Sequence, residues 1–348
     1  MDNPHEWPDL PGEIGVVNRK YYYGMTDRYG APHVGDATIE IQNTIDSALA
    51  LDVLAYGCGN FTTSAKVVFK GHADFSGATF SAPGTLPIAV EASTGGVADT
   101  DNGYLANKNI KFPAVLNTTK PALGWVEQGI GVRVVNAYSC NLQFANVRNY
   151  GIGAQFAAFG LPGPNKGKGA VYNTVTLGHA ENNKINIDFS CNDHGWTNEI
   201  LLIGGRLSHY SDEGINVPGT RHIRLNGGSS TVNNVVSIKP SIEGDVAEYH
   251  VENAGSFNEI YNARWESATP KVLYTGANIN QGAKNRIIGG YGVDDIKFTY
   301  TGITGGYNSR IGYNVEDRSV SYGLRFQNGS SSTLPIFTFF NAGTAPET

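Results

Sequence analysis

The chain has 348 residues, a net charge of −6 and only 16% charged residues, with 44 glycines against 2 methionines. The acidic balance excludes the basic footprint of a nucleic-acid binder, and no run of 18 apolar residues offers a membrane span. Turn formers outnumber helix formers, so the chain reads as all-β with many turns.

The opening residues, "MDNPHEWPDL", lack a basic region followed by an apolar one, so no secretory leader is expected. Residues 1–36 read as an N-terminal segment. In "ATIEIQNTIDSALAL" (37–51), Ile39, Ile41, Ile45, Ala48 and Leu49 fall on a rough helical face, with Thr38 as the expected cap. It is the one good helix in the sequence, and it suits the covering of an unpaired sheet edge. Turn-bounded strands follow in "GCGNFTTSAKVVFKG" and "ADFSGATFSAPG". Cys58, Cys140 and Cys191 have no disulfide or zinc spacing and read as small apolar side chains.

From the middle of the chain a phrase repeats. Asn followed by short apolar runs opens at Asn173, Asn198, Asn233, Asn258 and Asn285, in steps of 25, 35, 25 and 27, with a looser copy at Asn141. Repeats of roughly 20–50 residues built from short strands and turns signal a solenoid or propeller. No propeller signature appears, and uneven steps suit a parallel β-helix, whose turns lengthen without disturbing the stack. Asn suits such turns structurally, because it tolerates the left-handed conformation and can form amide ladders between coils. The expected solenoid runs over about 65–295, within a domain of 37–296. Residues 297–348 leave the period and read as a closing β cap or an oligomer contact. Residues 157–171 read as a long inter-coil turn. It is not a phosphate-binding loop, since Pro162 and Gly169 stand where that motif needs Gly and Ser/Thr.

These segments carry a resemblance. "DRYGAPHVGDATIEIQNTIDSALA", followed by "GCGNFTTSAKVVF", is similar to the opening of the pectate-lyase-like β-helix domain of bacteriophage tailspikes. The matching positions are Asp27, Gly30, Gly35, Asp36, Ile41, Gln42, Gly59, Phe61 and Thr62. "GVRVVNAYSCNLQFANVRNYGIGAQF" and the later coils also resemble that family, so the likeness covers about 25–295. It implies a right-handed, single-stranded parallel β-helix, a homotrimer, a place on the virion or outside the cell, and a bacterial surface polysaccharide as partner.

Setting the coils in register, with two extra residues in the third, aligns three columns: His179, Gly204, Ser241, Arg264; Ala180, Gly205, Ile242, Trp265; and Glu181, Arg206, Glu243, Glu266. Side chains alternate along a strand, so the middle column, Trp265 included, faces the core and the flanking two face solvent. Coils about 4.8 Å apart put Glu243 and Glu266 roughly 5 Å apart and Glu181 and Glu243 roughly 10 Å apart, near the carboxyl separations of retaining and inverting glycosidases. Glu181, Glu243 and Glu266 are therefore the candidate catalytic residues, with Glu243 the expected acid, Glu266 the nucleophile of a retaining reaction and Glu181 the base of an inverting one. Arg206, Arg264, His179 and Trp196 are the candidate substrate-binding residues. A repeating solvated or structural ladder explains the same column. Trp196, in "CNDHGWTN", reads equally as a sugar-stacking ring or as packing. "SHYSDEG" offers His209, Tyr210, Asp212 and Glu213 on a different part of the coil, with Asp212 and Glu213 the second place to look. "DTDNG" lacks the further ligands of a calcium loop, so neither metal nor cofactor is expected. Binding without cleavage, and lyase chemistry, stand as alternatives to hydrolysis, as does a purely structural virion role.

Overall fold

The computed structural model describes residues 35–95, 103–119, 129–164, 166–209, 218–226, 232–244, 246–267, 270–275, 285–290, 296–301, 307–312 and 323–328. Among these the chain winds into the expected right-handed parallel β-helix. Three sheets run along it: a long one of fifteen strands, a second of nine and a short third of five. In one coil, Thr174–Glu181 lies in the long sheet, Ile185–Cys191 in the second and Gly195–Asn198 in the third, before Leu201–Ser208 begins the next coil. Parallel pairing continues past 296: Lys297–Thr301 pairs with Lys271–Thr275, and Tyr307–Gly312 with Arg286–Ile288. Gly323–Asn328 then returns antiparallel.

The helix spans Thr38–Ala50. Ile41, Ile45 and Ala48 are buried as expected, but Ile39 and Leu49 are exposed; Thr38 and Thr44 take the remaining inward places. Thr38 is the first helical residue rather than the cap. Ala37 holds the cap position without a capping side chain, and Asp36 before it supplies the acceptor: its Oδ1 accepts from the Thr38 amide (3.1 Å) and hydroxyl (2.6 Å) and from the Ser64 amide (3.1 Å). Those donors, led by the Ser64 hydroxyl, lower the Asp36 carboxyl to about 2. Gln42 covers the edge strand Val67–Phe69: its Oε1 accepts from the Val68 amide (2.8 Å) and its Nε2 donates to the Val68 carbonyl (3.1 Å). The side-chain amide thus replaces the missing neighbour strand.

Inside, a file of phenylalanines climbs the first coils. Phe69, Phe112, Phe144, Phe156 and Phe189 meet their successors at centroid distances of 4.7–5.8 Å. Trp265 is buried, as the alternation required.

The repeated Asn does two different jobs. Asn173, Asn258 and Asn285 are buried, and each clamps a turn of the preceding coil. Asn173 Oδ1 accepts from the Cys140 amide (3.0 Å) while its Nδ2 donates to the Ala137 carbonyl (2.9 Å). Asn258 does the same to Val235 and Val232, and Asn285 to Asn258 and Gly255. Asn183, outside the repeated phrase, does it to Tyr150 and Val147. Each clamped turn carries a left-handed residue just before the donor: Ser139, Asn234, Phe257 and Asn149. Asn198 and Asn233 lie two residues earlier in their coils, at the ends of third-sheet strands, and pair with each other. An amide ladder of the expected kind joins Asn141 to Asn109 on the surface (2.9 Å).

Candidate functional site

Because Asn198 is not the equivalent of Asn173, the second coil is shifted by two residues from the expected alignment. His179 pairs with Arg206, then Ser241 and Arg264; Ala180 with Leu207, Ile242 and Trp265; Glu181 with Ser208, Glu243 and Glu266. Gly204 and Gly205 therefore leave the columns, and Arg206 moves from the carboxylate column to the one beside it. Both glycines have positive φ, 69° and 98°. At Gly205 an added Cβ would also fall 2.7 Å from the Leu177 side chain.

The guanidinium nevertheless reaches both carboxylates. Arg206 Nε donates to Glu243 Oε2 at 2.7 Å and Nη1 to Glu181 Oε1 at 3.1 Å. Ser241 Oγ donates to Glu243 Oε1 at 2.8 Å, and Arg264 Nη1 lies 3.8 Å from the same oxygen. Arg264 also pairs with Glu266. His179 Nδ1 lies 3.6 Å from Glu181 Oε1. The result is a ladder of three carboxylates, two guanidiniums and an imidazole across four coils. Glu181 and Glu243 are nearly buried, whereas Arg206, Arg264 and Glu266 are each about 40% open to solvent.

Behind the ladder the corner between the long and second sheets is polar and buried. His209 and His222 stack at 4.3 Å, and His250 follows at 5.3 Å. The His209 ring bonds the Asn183 carbonyl (2.6 Å), and Asn186 Nδ2 meets His222 Nδ1 (3.0 Å). Burial holds His209 down to about 4 and pushes His222 well below the usual histidine value, so both rings are neutral near pH 7.

Trp196 is not part of this assembly. It lies in the third sheet beside Gly169. Its indole rests on the glycines of the preceding coil, where a Cβ at Gly169 or Gly167 would fall 2.2 or 2.6 Å from ring atoms. Tyr104, Tyr138 and Tyr172 flank it around a groove of about 630 Å³. These tyrosines escaped the reading of the sequence, although they recur at steps of 34 residues.

No protein-family model and no curated protein sequence matches the chain. Solved structures resemble it at low identity. The Dettilon tailspike protein (gp208) aligns at 12% identity and TM-score 0.35 over 74% of this chain and 67% of that one. The A-module of the Azotobacter vinelandii mannuronan C-5 epimerase AlgE4 aligns at 12% and 0.35 over 83% and 94%. The Streptococcus pneumoniae surface protein and adhesin PfbA aligns at 12% and 0.34 over 83% and 98%. All are parallel β-helix proteins.

The remaining sequence candidates divide. His209 belongs to the buried corner, whereas Asp212, Glu213 and most of "DTDNG" lie outside the described residues. Among the described residues no helix is long and apolar enough to cross a membrane.

Proposed function

We infer that this protein is a tailspike-type spike that binds a bacterial surface polysaccharide and cuts it by glycoside hydrolysis at the Arg206 ladder. The observation that carries the reading is one column of three carboxylates, Glu181 and Glu243 nearly buried and Glu266 open, with two half-exposed guanidiniums among them. The resemblance of the opening residues to tailspikes supports the biological setting, a virion or extracellular homotrimer.

The contacts refine the roles within the ladder. Both oxygens of Glu243 are engaged by donors, Arg206 on one and Ser241 on the other. Hydrogen bonds and opposite charges favour the ionised form, so Glu243 is assigned as the base that activates water. Glu181, two coils away, meets Arg206 and His179 through Oε1, against both oxygens for Glu243, and is assigned as the acid that protonates the leaving oxygen through Oε2. Two coil steps, about 10 Å at the backbone, suit the wider separation of an inverting enzyme. Arg206 and Arg264 use their exposed donors on sugar hydroxyls or on an acidic sugar. Glu266 balances Arg264, and in a retaining reaction would be the nucleophile.

The test is incubation with purified capsular polysaccharides and lipopolysaccharides from a strain panel, followed by product sizing and ultraviolet absorbance. Hydrolysis shortens one polymer without creating an absorbing unsaturated sugar. Shortening with new absorbance means a lyase, and binding with unchanged length means an adhesin. Either result overturns the hydrolase reading.

A further inference from the structure

The third sheet carries a feature the ladder does not use. Among the described residues the exposed aromatic side chains include Tyr104, Tyr138 and Tyr172, 39%, 40% and 56% exposed, on three successive coils. Their rings meet edge to face, at 6.0 Å between Tyr104 and Tyr138 and 5.8 Å between Tyr138 and Tyr172. Trp196 completes the wall from the fourth coil.

An exposed aromatic ring normally costs solubility without adding stability, and singly it needs no explanation. Here each ring is held. The Tyr104 hydroxyl accepts from the Gly169 amide (3.2 Å), and the Lys168 ammonium lies 5.0 Å from its ring centroid. The Tyr172 phenol bonds the Glu199 carboxylate of the next coil, whose negative charge, more than the bond itself, pushes the phenol's titration upward. Tyr172 stands on a left-handed residue, φ 57°, an unusual conformation for a bulky side chain. Trp196 is seated on Gly167 and Gly169, whose missing side chains leave room for it. Rings fixed in advance lose little freedom when a ligand arrives.

The groove they enclose, about 630 Å³, lies within the size range of small-ligand sites. Its lining is mainly aromatic, with one carboxylate, Glu199, turned to the Tyr172 hydroxyl, while the Lys168 ammonium lies by the Tyr104 ring. A pyranose ring offers C–H bonds of slight positive charge to the negative face of an aromatic ring, and hydroxyls to the surrounding polar atoms. A densely anionic chain would instead want the guanidiniums that this groove lacks and the ladder has.

We propose that the Tyr104–Tyr138–Tyr172–Trp196 groove is a separate glycan-binding subsite for uncharged pyranose units of the polysaccharide that the ladder cuts. The proposal rests on the functional reading above. Asn198 ends a third-sheet strand and Arg206 lies eight residues on, around the corner in the long-sheet strand that begins the next coil, no farther than about 27 Å of extended chain. The groove therefore acts as a remote anchor for long chains.

The test uses the full chain in a Glu243→Gln background, so that polymer stays intact during titration. The probes are purified neutral O-antigen polysaccharides and acidic capsular polysaccharides, measured by calorimetry with melting and light scattering in parallel. Tyr138→Ala and Trp196→Ala are each expected to weaken binding of the recognised polysaccharide about tenfold. The loss should be the same at low and high salt, because stacking is not screened. Tyr172→Phe, which keeps the ring, should bind within about twofold of the parent. Unchanged affinity in both alanine variants at an unchanged melting temperature overturns the subsite and leaves the functional reading intact. A changed oligomeric mass with unchanged glycan affinity makes the groove a subunit contact and overturns it too. If no polysaccharide binds the parent, both readings fall together.

Discussion

Two ion pairs of this solenoid look alike on paper and differ in what surrounds them. Glu91 and Arg133 pair across adjacent coils of the second sheet, with Arg133 Nη2 2.7 Å and Nε 3.0 Å from Glu91 Oε2. Lys66 and Ser93 engage the other oxygen at 3.1 and 2.9 Å. Glu91 is 1% exposed and Arg133 7%. The Arg206 ladder makes bonds of the same length, yet Arg206 is 39% open. A buried pair cannot lose a partner without leaving a desolvated charge, while an open one can rehydrate. Arg133 is therefore read as a device for stacking coils, and Arg206 as a group that a ligand can approach from solvent.

The largest effect expected from this contrast is on stability at Glu91. Glu91→Gln should cost about 3–5 kcal/mol by leaving Arg133 buried and unpaired, seen as a lower denaturation midpoint. A loss below 1 kcal/mol would erase the distinction between the two pairs. Next comes the buried amide clamp. Asn258→Ala removes two hydrogen bonds to the preceding turn and should cost about 2 kcal/mol in the same assay.

Acid sharpens the contrast further. His209 and His222 are held neutral in the fold, so unfolding takes up protons. Their contribution falls as pH drops below about 6.5, and for His209 the fall continues to about 4. Asp36 acts in the same direction over a lower window: its carboxyl is depressed to about 2, so its contribution is present above the ordinary aspartate value and is lost as pH falls through about 2. At Glu91, burial raises the carboxyl and Arg133 overcomes it, a net lowering that also acts below the ordinary glutamate value. Denaturant melts between pH 7 and 3 should show a first decline from about 6.5, which His209→Gln makes shallower. A flat profile down to pH 5 would contradict the neutral histidine stack. The smallest effect is at the ladder's open end. Glu266→Gln should move stability by no more than about 0.5 kcal/mol.

The fold was legible because it is written in repetition. Short apolar runs punctuated by Asn and Gly at solenoid steps admit few architectures, and one helix with a Gln in mid-face supplies the edge cover. The inward alternation that buries Ala180, Ile242 and Trp265 was equally plain. Register was harder, because Asn occupies two places in the coil. Asn173 is a buried clamp and Asn198 a strand end, and a one-letter match cannot separate them. That ambiguity put Arg206 in the wrong column. Its long side chain still brings it to Glu181 and Glu243, so the partnership survived the error. The tyrosine groove was missed for a different reason. Tyr104, Tyr138 and Tyr172 meet only because consecutive coils bring residues 34 apart into contact, and only the register shows which ring faces which. The histidine stack was hidden likewise, since His209 enters from a corner and His222 and His250 from the second sheet.

The central claim is that the open ladder does chemistry rather than merely stacking coils. It is tested most directly by making Glu181→Gln, Glu243→Gln and Glu266→Gln separately and measuring polysaccharide shortening and melting side by side. Loss of an acid or base is expected to slow cleavage by about 10²–10⁴-fold at Glu181 and Glu243, with melting close to that of the unmodified protein. Cleavage at the unmodified rate in all three, or activity that falls only in step with melting temperature, would make the ladder a structural element and contradict the account.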